Sequence, residues 1–214
     1  MNLANHIADR LLQIKAIKLN ATNPFTWASG LRSPIYCDNR LALSYPEDRK
    51  IIIKALSREA RLFTNINGIA GVATAGIAWG AYVADSLDLP FCYVRSKPKE
   101  HGLKNMIEGR LDPNSTVLVI EDLISTGGSS MEAVQALLNE GYNVVGVLAI
   151  FQYGFSSATQ KFKDKNILFS SLTDFDTLLA RALFANEISQ VDFERLKSWN
   201  IDPKLWSDQH SNHN

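Results

Sequence analysis

Apolar residues follow two different spacings along the chain, one typical of helices and the other of buried strands. At positions 3–17 they recur every three or four residues, which predicts an amphipathic helix that ends near Asn20. Residues 20–45 lack a simple period and are rich in aromatic residues, Ser, Gly and Pro, which predicts short extended segments joined by turns. A second helical pattern covers residues 47–63, with apolar side chains on one face and basic ones on the other.

In the middle of the chain, short apolar runs alternate with helical patterns. A first strand–helix–strand unit comprises GIAGV (68–72), IAWGAYVADSL (77–87) and FCYVR (91–95), and a second comprises TVLVIED (116–122), MEAVQALLNE (131–140) and NVVGVLAIF (143–151). This alternation predicts right-handed crossovers and a parallel sheet with helices on both faces, which is the α/β class. Residues 96–115 between the units are polar and contain Pro98, Gly102 and Gly109, which predicts a mobile loop.

The last part of the chain predicts one more strand and two helices before a frayed end. The strand covers 166–172 and the helices cover 175–187 and 191–200, the latter preceded by Ser189 and Asp192 at the spacing of an N-cap pair. The predicted organisation is an N-terminal region at 1–45, an α/β core at 46–172, C-terminal helices at 173–206 and a disordered tail at 207–214.

Composition and charge narrow the class of protein. Basic and acidic residues balance at 22 each and 46% of residues are hydrophobic, so a nucleic acid or a membrane surface is not expected as a partner. No apolar run is long enough to span a bilayer, and charges interrupt the N-terminal pattern where a signal peptide would be apolar. Two cysteines, Cys37 and Cys92, are too few for a disulfide framework. We therefore expect a cytoplasmic protein with reduced thiols.

The segment VLVIEDLISTGGSS (117–130) carries the clearest chemistry, because a buried strand gives way there to two acids and then to glycines and hydroxyls. Ligands of parallel sheets bind at the carboxyl ends of strands, where Glu121 and Asp122 are expected. The loop over 125–130 leads into a helix, so backbone N–H groups, the helix dipole and serine hydroxyls converge on an anion. Ser129 with Glu132 also fits a capping box, which would only start the helix.

Two carboxylates would repel a phosphate unless they face another part of the same ligand. A sugar phosphate resolves the conflict, because the acids can accept hydrogen bonds from ribose hydroxyls while the 5-phosphate rests in the loop. The sequence contains neither GxxxxGK[ST] nor GxGxxG in this region, which argues against triphosphate and dinucleotide sites. The structural alternative for Glu121 and Asp122 is a solvated strand end.

The strand, the acid pair and STGGS are similar to the phosphoribosyl pyrophosphate (PRPP) signature of type I phosphoribosyltransferases. Two earlier stretches, PFTWASGLRSPIYCDNR and YVRSKPKEHGLKNMIEG, come before it in that order. Together the three stretches resemble the orotate phosphoribosyltransferase family. The resemblance covers most of residues 20–155. It implies the type I phosphoribosyltransferase fold, a central parallel sheet flanked by helices, with a small hood formed mainly by the N-terminal region.

The resemblance also implies an activity, Mg²⁺-dependent transfer of ribosyl 5-phosphate from PRPP to orotate, and a set of site residues. Implied catalytic residues are Lys99, His101 and Asp122. Implied PRPP-binding residues are Arg95, Lys99, His101, Glu121, Asp122, Leu123, Ile124, Ser125, Thr126, Gly127, Gly128, Ser129, Thr74 and Ala75. Implied orotate-binding residues are Tyr36, Cys37, Arg40, Ser125 and Tyr153. Mg²⁺ is implied to bind mainly through PRPP, with Glu121 or Asp122 as water-mediated contacts, and a homodimer is implied in which the 96–108 loop reaches the neighbouring site.

The chain departs from the family pattern in several positions, and these departures keep two other functions open. Ala28, Ala75 and Ser96 stand where many members have lysine, and Tyr153 stands where others have arginine. Compensating charge is expected from Lys97, Arg32 or Arg40. The alternatives are transfer to a different nucleobase, or a regulator that senses PRPP without turnover. Taken without the resemblance, Arg95, Lys99 and His101 would be an ordinary solvated charge run.

Overall fold

The computed structural model describes residues 2–27, 30–96 and 106–210, and it divides the chain into two units. One unit is Pro46–Leu172, and the other combines Met1–Tyr45 with Thr173–Asn214. In chain order the elements are α1 (Leu3–Gln13), β1 (Ile17–Leu19), β2 (Phe25–Thr26), β3 (Arg32–Ser33), β4 (Ile35–Cys37), a 3-10 helix (Asn39–Ser44), α2 (Pro46–Ala60), β5 (Gly68–Val72), α3 (Ala75–Leu87), β6 (Phe91–Val94), β7 (Ile107–Gly109), β8 (Thr116–Ile124), α4 (Gly128–Asn139), β9 (Asn143–Gln152), α5 (Ser156–Asp164), β10 (Leu168–Asp174), α6 (Phe175–Phe184), α7 (Gln190–Ile201) and α8 (Pro203–His210).

The larger unit is built on a six-stranded sheet with the order β10-β9-β8-β5-β6-β7. Strands β5, β6, β8 and β9 pair in parallel, as predicted. The sheet is not wholly parallel, however, because β7 pairs antiparallel with β6. The prediction of a loop across 96–115 is therefore wrong for residues 107–109. Three residues give no readable period, and pairing with β6 is what buries Ile107.

Helices cover both faces of this sheet. On one face, alternate strand residues such as Ala70 and Val72 share a core cluster with α4 and α5. On the other face α3 lies so close that a Cβ on Gly71 would stand 2.7 Å from the carbonyl oxygen of Gly76. Helix α5 is not predicted by the apolar pattern, because its sequence is polar and only Ala158 and Phe162 are buried.

In the smaller unit the N-terminal helix is shorter than predicted. It ends at Gln13, Lys15 adopts a left-handed φ of 57°, and β1 follows and pairs antiparallel with β4. Ile17 is buried in this strand. An apolar residue at that position fits a helical period and a strand equally well, so the pattern alone overran the true end of the helix.

The C-terminal prediction needs a similar adjustment. The capping box of Ser189 and Asp192 at the start of α7 is present as predicted. Residues 207–210, expected as part of the tail, instead form the end of α8, and Ser207 is buried with its hydroxyl oxygen accepting the Arg32 N–H at 2.9 Å. Residues 211–214 lie outside the described residues.

Candidate active site

The strand that carries the acid pair runs further than the sequence predicts. Strand β8 continues to Ile124, two residues beyond the predicted end, so Glu121 and Asp122 lie within the strand near its carboxyl end. Helix α4 already begins at Gly128, which leaves only residues 125–127 between the two elements. The predicted loop over 125–130 is therefore corrected to a tight three-residue connection.

Gly127 makes this connection possible. Its φ is 71°, a left-handed conformation that glycine adopts without steric cost. A Cβ at this position would also stand 2.9 Å from a ring carbon of Phe162. Because Gly127 caps α4 without a side chain, the first backbone N–H groups of the helix are left for another acceptor.

Glu121 points into the start of α4 and is almost fully buried, with 4% of its surface exposed. One carboxylate oxygen accepts the Asp122 N–H at 3.0 Å, and the other accepts the hydroxyls of Ser129 and Ser130 at 3.4 Å each. The capping-box alternative for Ser129 and Glu132 is thus wrong, since α4 has no side-chain cap. Burial, and then the adjacent Asp122 charge, raise the pKa of Glu121 well above its usual value.

This raised pKa makes the stability of the fold depend on pH. The folded protein holds the Glu121 proton more tightly than the unfolded chain does, so the favourable contribution is complete below the unfolded pKa of 4.5 and is lost as the pH rises through the folded pKa. We expect the free energy of unfolding of the wild type to fall, relative to Glu121→Gln, as the pH rises above the unfolded pKa of 4.5. Urea denaturation of both proteins without ligand measures this, and parallel pH curves would contradict it.

A second connection, between β5 and α3, lies beside the first at the carboxyl ends of the paired strands β5 and β8. Beyond β5, the Ala73 N–H donates to the Val94 carbonyl oxygen at 2.8 Å, and Thr74 precedes the first turn of α3. The peptide bond between Ala73 and Thr74 is cis. A Cβ on Gly76 would stand only 2.5 Å from the carbonyl oxygen of Ile120, so α3 begins in direct contact with the backbone of β8.

The two connections enclose a cavity of about 270 Å³. It is lined by Ala73, Thr74, Ala75, Glu121, Asp122, Leu123, Ser125, Thr126, Gly127, Gly128, Ser129 and Ser130. The chain leaves β5 toward β6 and leaves β8 toward β9, in opposite directions, so the cavity lies at the switch point of the sheet. The N-termini of α3 and α4 both border it, which favours an anionic ligand.

Among the residues that the structure describes, all but two of the predicted PRPP-binding residues line this cavity. Ile124 is buried and does not line it. Arg95 lines a small cleft that shares Ala73 and Ser129 with the cavity, and its guanidinium forms an ion pair with Glu108 at 3.1 Å. Lys97, Lys99 and His101, like Ala28, lie outside the described residues.

The predicted orotate-binding residues occupy both units. Tyr36, Cys37 and Arg40 belong to the smaller unit, where Arg40 Nε donates to Asp38 at 2.7 Å and lowers the pKa of that carboxyl group. Tyr153 belongs to the larger unit. It is 2% exposed and stacks on Phe155 with ring centroids 5.3 Å apart.

Sequence reasoning missed three residues around the site. Ser130 continues the small polar run and could have been included from that pattern. Glu108 pairs with Arg95, and Lys161 donates to the Thr126 carbonyl oxygen at 2.9 Å. Both contacts join distant parts of the chain, and no spacing in the sequence signals them.

Residues 47–177 match the family model described as the phosphoribosyl transferase domain. The match covers the whole sheet and both connections that enclose the cavity. It places this chain in the phosphoribosyltransferase class, as the PRPP-like signature predicted.

Closer relatives narrow the class. An orotate phosphoribosyltransferase of Porphyromonas gingivalis is 51% identical over 205 residues, which are 95% of this chain and 98% of that protein. The crystal structure of an orotate phosphoribosyltransferase from Aeropyrum pernix aligns with a TM-score of 0.72 and 26% identity, over 83% of this chain and 98% of its own. The chain belongs to the orotate phosphoribosyltransferase family. The predicted family, fold class and enzyme class are thereby confirmed.

The fold also occurs within a longer protein. The solved UMP synthase of Leishmania donovani aligns with a TM-score of 0.78 and 23% identity over 92% of this chain, which spans 42% of that protein. Within the part of this chain that the structure describes, no helix is long and apolar enough to cross a membrane.

Proposed function

We propose that this chain transfers the ribosyl 5-phosphate group of PRPP to N1 of orotate, which yields orotidine 5-phosphate and pyrophosphate for pyrimidine synthesis. The observation that carries the proposal is the cavity at the switch point, where the Glu121–Asp122 pair lies beside two helix N-termini. A sugar with phosphates at both ends and hydroxyls in its middle matches that arrangement of donors and acceptors.

The three parts of PRPP are assigned to three parts of the cavity. The 5-phosphate lies against residues 125–129, the ribose hydroxyls donate to the acids, and the pyrophosphate lies against Thr74 and Ala75. Cleavage at the anomeric carbon places positive charge on the ribose ring, and the Asp122 carboxylate stabilises that charge. Glu121 helps to fix the backbone of Asp122, because one of its carboxylate oxygens accepts the Asp122 N–H.

Mg²⁺ reaches this site bound to PRPP in our proposal. No group of three or more His, Cys, Asp or Glu residues in the described ranges could hold a metal ion. Magnesium in phosphate sites commonly relies on substrate oxygens, waters and one or two carboxylates, which suits a water-mediated contact to Asp122. Glu121 is less suited, because both of its oxygens already accept hydrogen bonds. When bound, the ion neutralises the charge of the pyrophosphate leaving group.

The acceptor requires recognition more than activation. Orotate offers N1 as an anionic nitrogen, so no strong general base is needed. We assign its contacts to Tyr36, Cys37 and Arg40 from the N-terminal region, together with Ser125. Tyr153 is buried in an aromatic stack, so we assign its side chain to packing and not to a direct contact with orotate. Its backbone N–H donates to the Ile124 carbonyl oxygen at 3.0 Å, next to Ser125.

The active form is proposed to be a cytoplasmic homodimer in which the segment between β6 and β7 of one subunit, the part of the predicted 96–108 loop that precedes β7, reaches the site of the other. Loop closure would exclude water, which could otherwise capture the cationic ribosyl group. Both cysteines are free thiols, and burial raises the pKa of Cys92 to about 12, which disfavours its reactive thiolate form.

The direct test of function is the loss of the ultraviolet absorbance of orotate in the presence of the purified protein, Mg²⁺ and PRPP. Adenine, guanine, hypoxanthine and uracil are assayed alongside. Consumption of orotate alone supports the proposal. Consumption of another base, or binding of PRPP without turnover of any base, would replace it with one of the two alternatives.

Replacing the loop cations is expected to slow the chemical step. Lys99→Ala and His101→Ala should each lower kcat about 10- to 100-fold, because charge develops on the leaving pyrophosphate. PRPP affinity, measured by isothermal titration calorimetry, should change much less. Lys163→Ala, an exposed lysine on α5, is the matched control and should retain full activity. Unchanged turnover in the loop variants would remove these residues from the mechanism.

Mixing two inactive variants tests whether the loop acts between subunits. If Lys99→Ala is mixed with a variant inactivated at Asp122 and subunits exchange freely, half of the dimers are mixed and each regains one intact site. About a quarter of wild-type activity should return. No recovery, with subunit exchange verified by mass spectrometry, would mean that the loop serves its own subunit.

A further inference from the structure

One contact to the phosphate-binding connection comes from outside the cavity. Lys161, in the last turn of α5, donates from Nζ to the carbonyl oxygen of Thr126 at 2.9 Å. The two residues are 35 positions apart in sequence. Lys161 does not line the cavity but belongs to a neighbouring groove of about 400 Å³ between α4 and α5. It therefore approaches the connection from the groove and not from the cavity.

The next residue fixes the position of α5 against the same connection. Phe162 is fully buried and stacks on Phe169 with ring centroids 4.4 Å apart. A Cβ added to Gly127 would lie only 2.9 Å from a carbon of the Phe162 ring. The helix that carries Lys161 is thus anchored in the core directly beside Gly127, so the lysine reaches Thr126 from a fixed base and not from a mobile surface.

The Thr126 carbonyl matters because of what its neighbours are proposed to bind. A carbonyl oxygen turned toward a phosphate would repel it, whereas the N–H groups that follow attract it. A donor that holds this carbonyl on the far side therefore keeps the Thr126–Gly127 peptide group in the orientation that turns the Gly127 N–H toward the cavity, where the N–H groups of α4 follow it. The ammonium charge adds to the positive potential of the helix N-terminus.

We propose that Lys161 is a positioning residue for the 5-phosphate site, holding the Thr126 carbonyl oxygen from behind so that the following N–H groups face the phosphate. The inference rests on the proposed function, since it requires the 5-phosphate to lie against this connection. Lys161 touches no reacting atom. The competing reading is an ordinary surface lysine that shares its groove with Glu132 and Asp164.

The test compares binding of the two ends of the substrate, the ribose 5-phosphate and the pyrophosphate. Affinities for ribose 5-phosphate, pyrophosphate and PRPP are measured by isothermal titration calorimetry in Mg²⁺ for wild type, Lys161→Met, Lys161→Arg and Lys163→Met. Lys161→Met should bind ribose 5-phosphate and PRPP about ten-fold more weakly and pyrophosphate unchanged, because a hydrogen bond from a charged donor is lost at one end only. Lys161→Arg should recover most of the affinity. Lys163→Met removes the same charge from the exposed face of α5 and should match wild type.

Steady-state kinetics gives a second readout that loss of folding would not reproduce. The KM for PRPP should rise in Lys161→Met, while the KM for orotate and kcat should stay close to wild type. Equal losses of affinity for ribose 5-phosphate and pyrophosphate would indicate a general disturbance and overturn the proposal. Equal affinities of Lys161→Met and Lys163→Met for ribose 5-phosphate would overturn it as well.

A further variant distinguishes a failure of the Lys161 proposal from a failure of the proposed function. Ser125→Ala removes a hydroxyl from the connection itself. If it weakens ribose 5-phosphate binding and Lys161→Met does not, the phosphate lies there but Lys161 does not position it. If neither variant changes binding, the phosphate lies elsewhere, and the assignment of PRPP to this cavity falls together with the inference.

Discussion

Asp122→Asn is expected to lower kcat/KM for PRPP about 10²- to 10³-fold, the loss typical when one group that stabilises transition-state charge is removed. The substitution keeps the size of the side chain and removes its negative charge at the point where the ribose ring becomes cationic. Asp122 lines the cavity next to Thr126 and Gly127, so it stands beside the proposed ribose position. The rate of orotate consumption at varied PRPP concentration measures the effect.

The matched control for this charge removal is Asp85→Asn on the exposed face of α3. It changes the net charge equally but lies at the opposite end of that helix from the cavity, so its kinetic constants should equal those of the wild type. If Asp122→Asn retained more than about a third of the wild-type kcat/KM, the acid would have no role in charge stabilisation.

The second large effect is expected at Gly76. Gly76→Ala should lower the free energy of unfolding by about 2–4 kcal/mol, a range typical of overpacking against groups that cannot move. The added Cβ would stand 2.5 Å from the carbonyl oxygen of Ile120 and 3.3 Å from the Glu121 Cα, both backbone atoms of β8. Relief requires α3 to separate from β8, which also opens the cavity. Chemical denaturation and PRPP titration of the same sample measure both consequences.

Gly128, at the start of α4, provides the control. Gly128 is in the first turn of α4 without a positive φ, and a Cβ there would meet only the Thr126 hydroxyl at 3.9 Å. Gly128→Ala should therefore leave stability unchanged or raise it by about 0.5–1 kcal/mol, as expected for Gly to Ala within a helix. An equal denaturation midpoint for Gly76→Ala and wild type would show that the α3–β8 contact yields without cost.

The central strands were predictable because their signal is local. GIAGV at 68–72 matches β5 residue for residue, since a strand buried on both faces is a continuous apolar run. The acid pair and the small residues after it likewise stand together in sequence, so the strand and the helix followed from spacing alone, and the anion site between them stays a prediction. What the spacing could not give was the direction of each side chain. Glu121 turns toward Ser129 and Ser130, and only the packed start of α4 determines that.

Elements stabilised by distant partners escaped prediction. Helix α5 has a polar sequence, and its two buried residues pack against a core cluster that includes Ala70 and Val119, which are far away in sequence. Strand β7 exists because β6 offers an open edge. The same limit applies to the Lys161–Thr126 contact, which depends on how two helices settle on the sheet and not on any local preference.

The β6–β7 pairing sets a tether length for the segment it encloses. The Arg95 N–H donates to the Met106 carbonyl oxygen at 2.8 Å, so the ten residues between them start and finish at one point on the sheet edge. A chain that must go out and return can use only half of its contour, which limits its tip to about 15–20 Å from that point whatever path it takes. Any pyrophosphate served by Lys99 or His101, in the same subunit or another, must therefore come within that radius, extended by the length of the side chain, of the sheet edge.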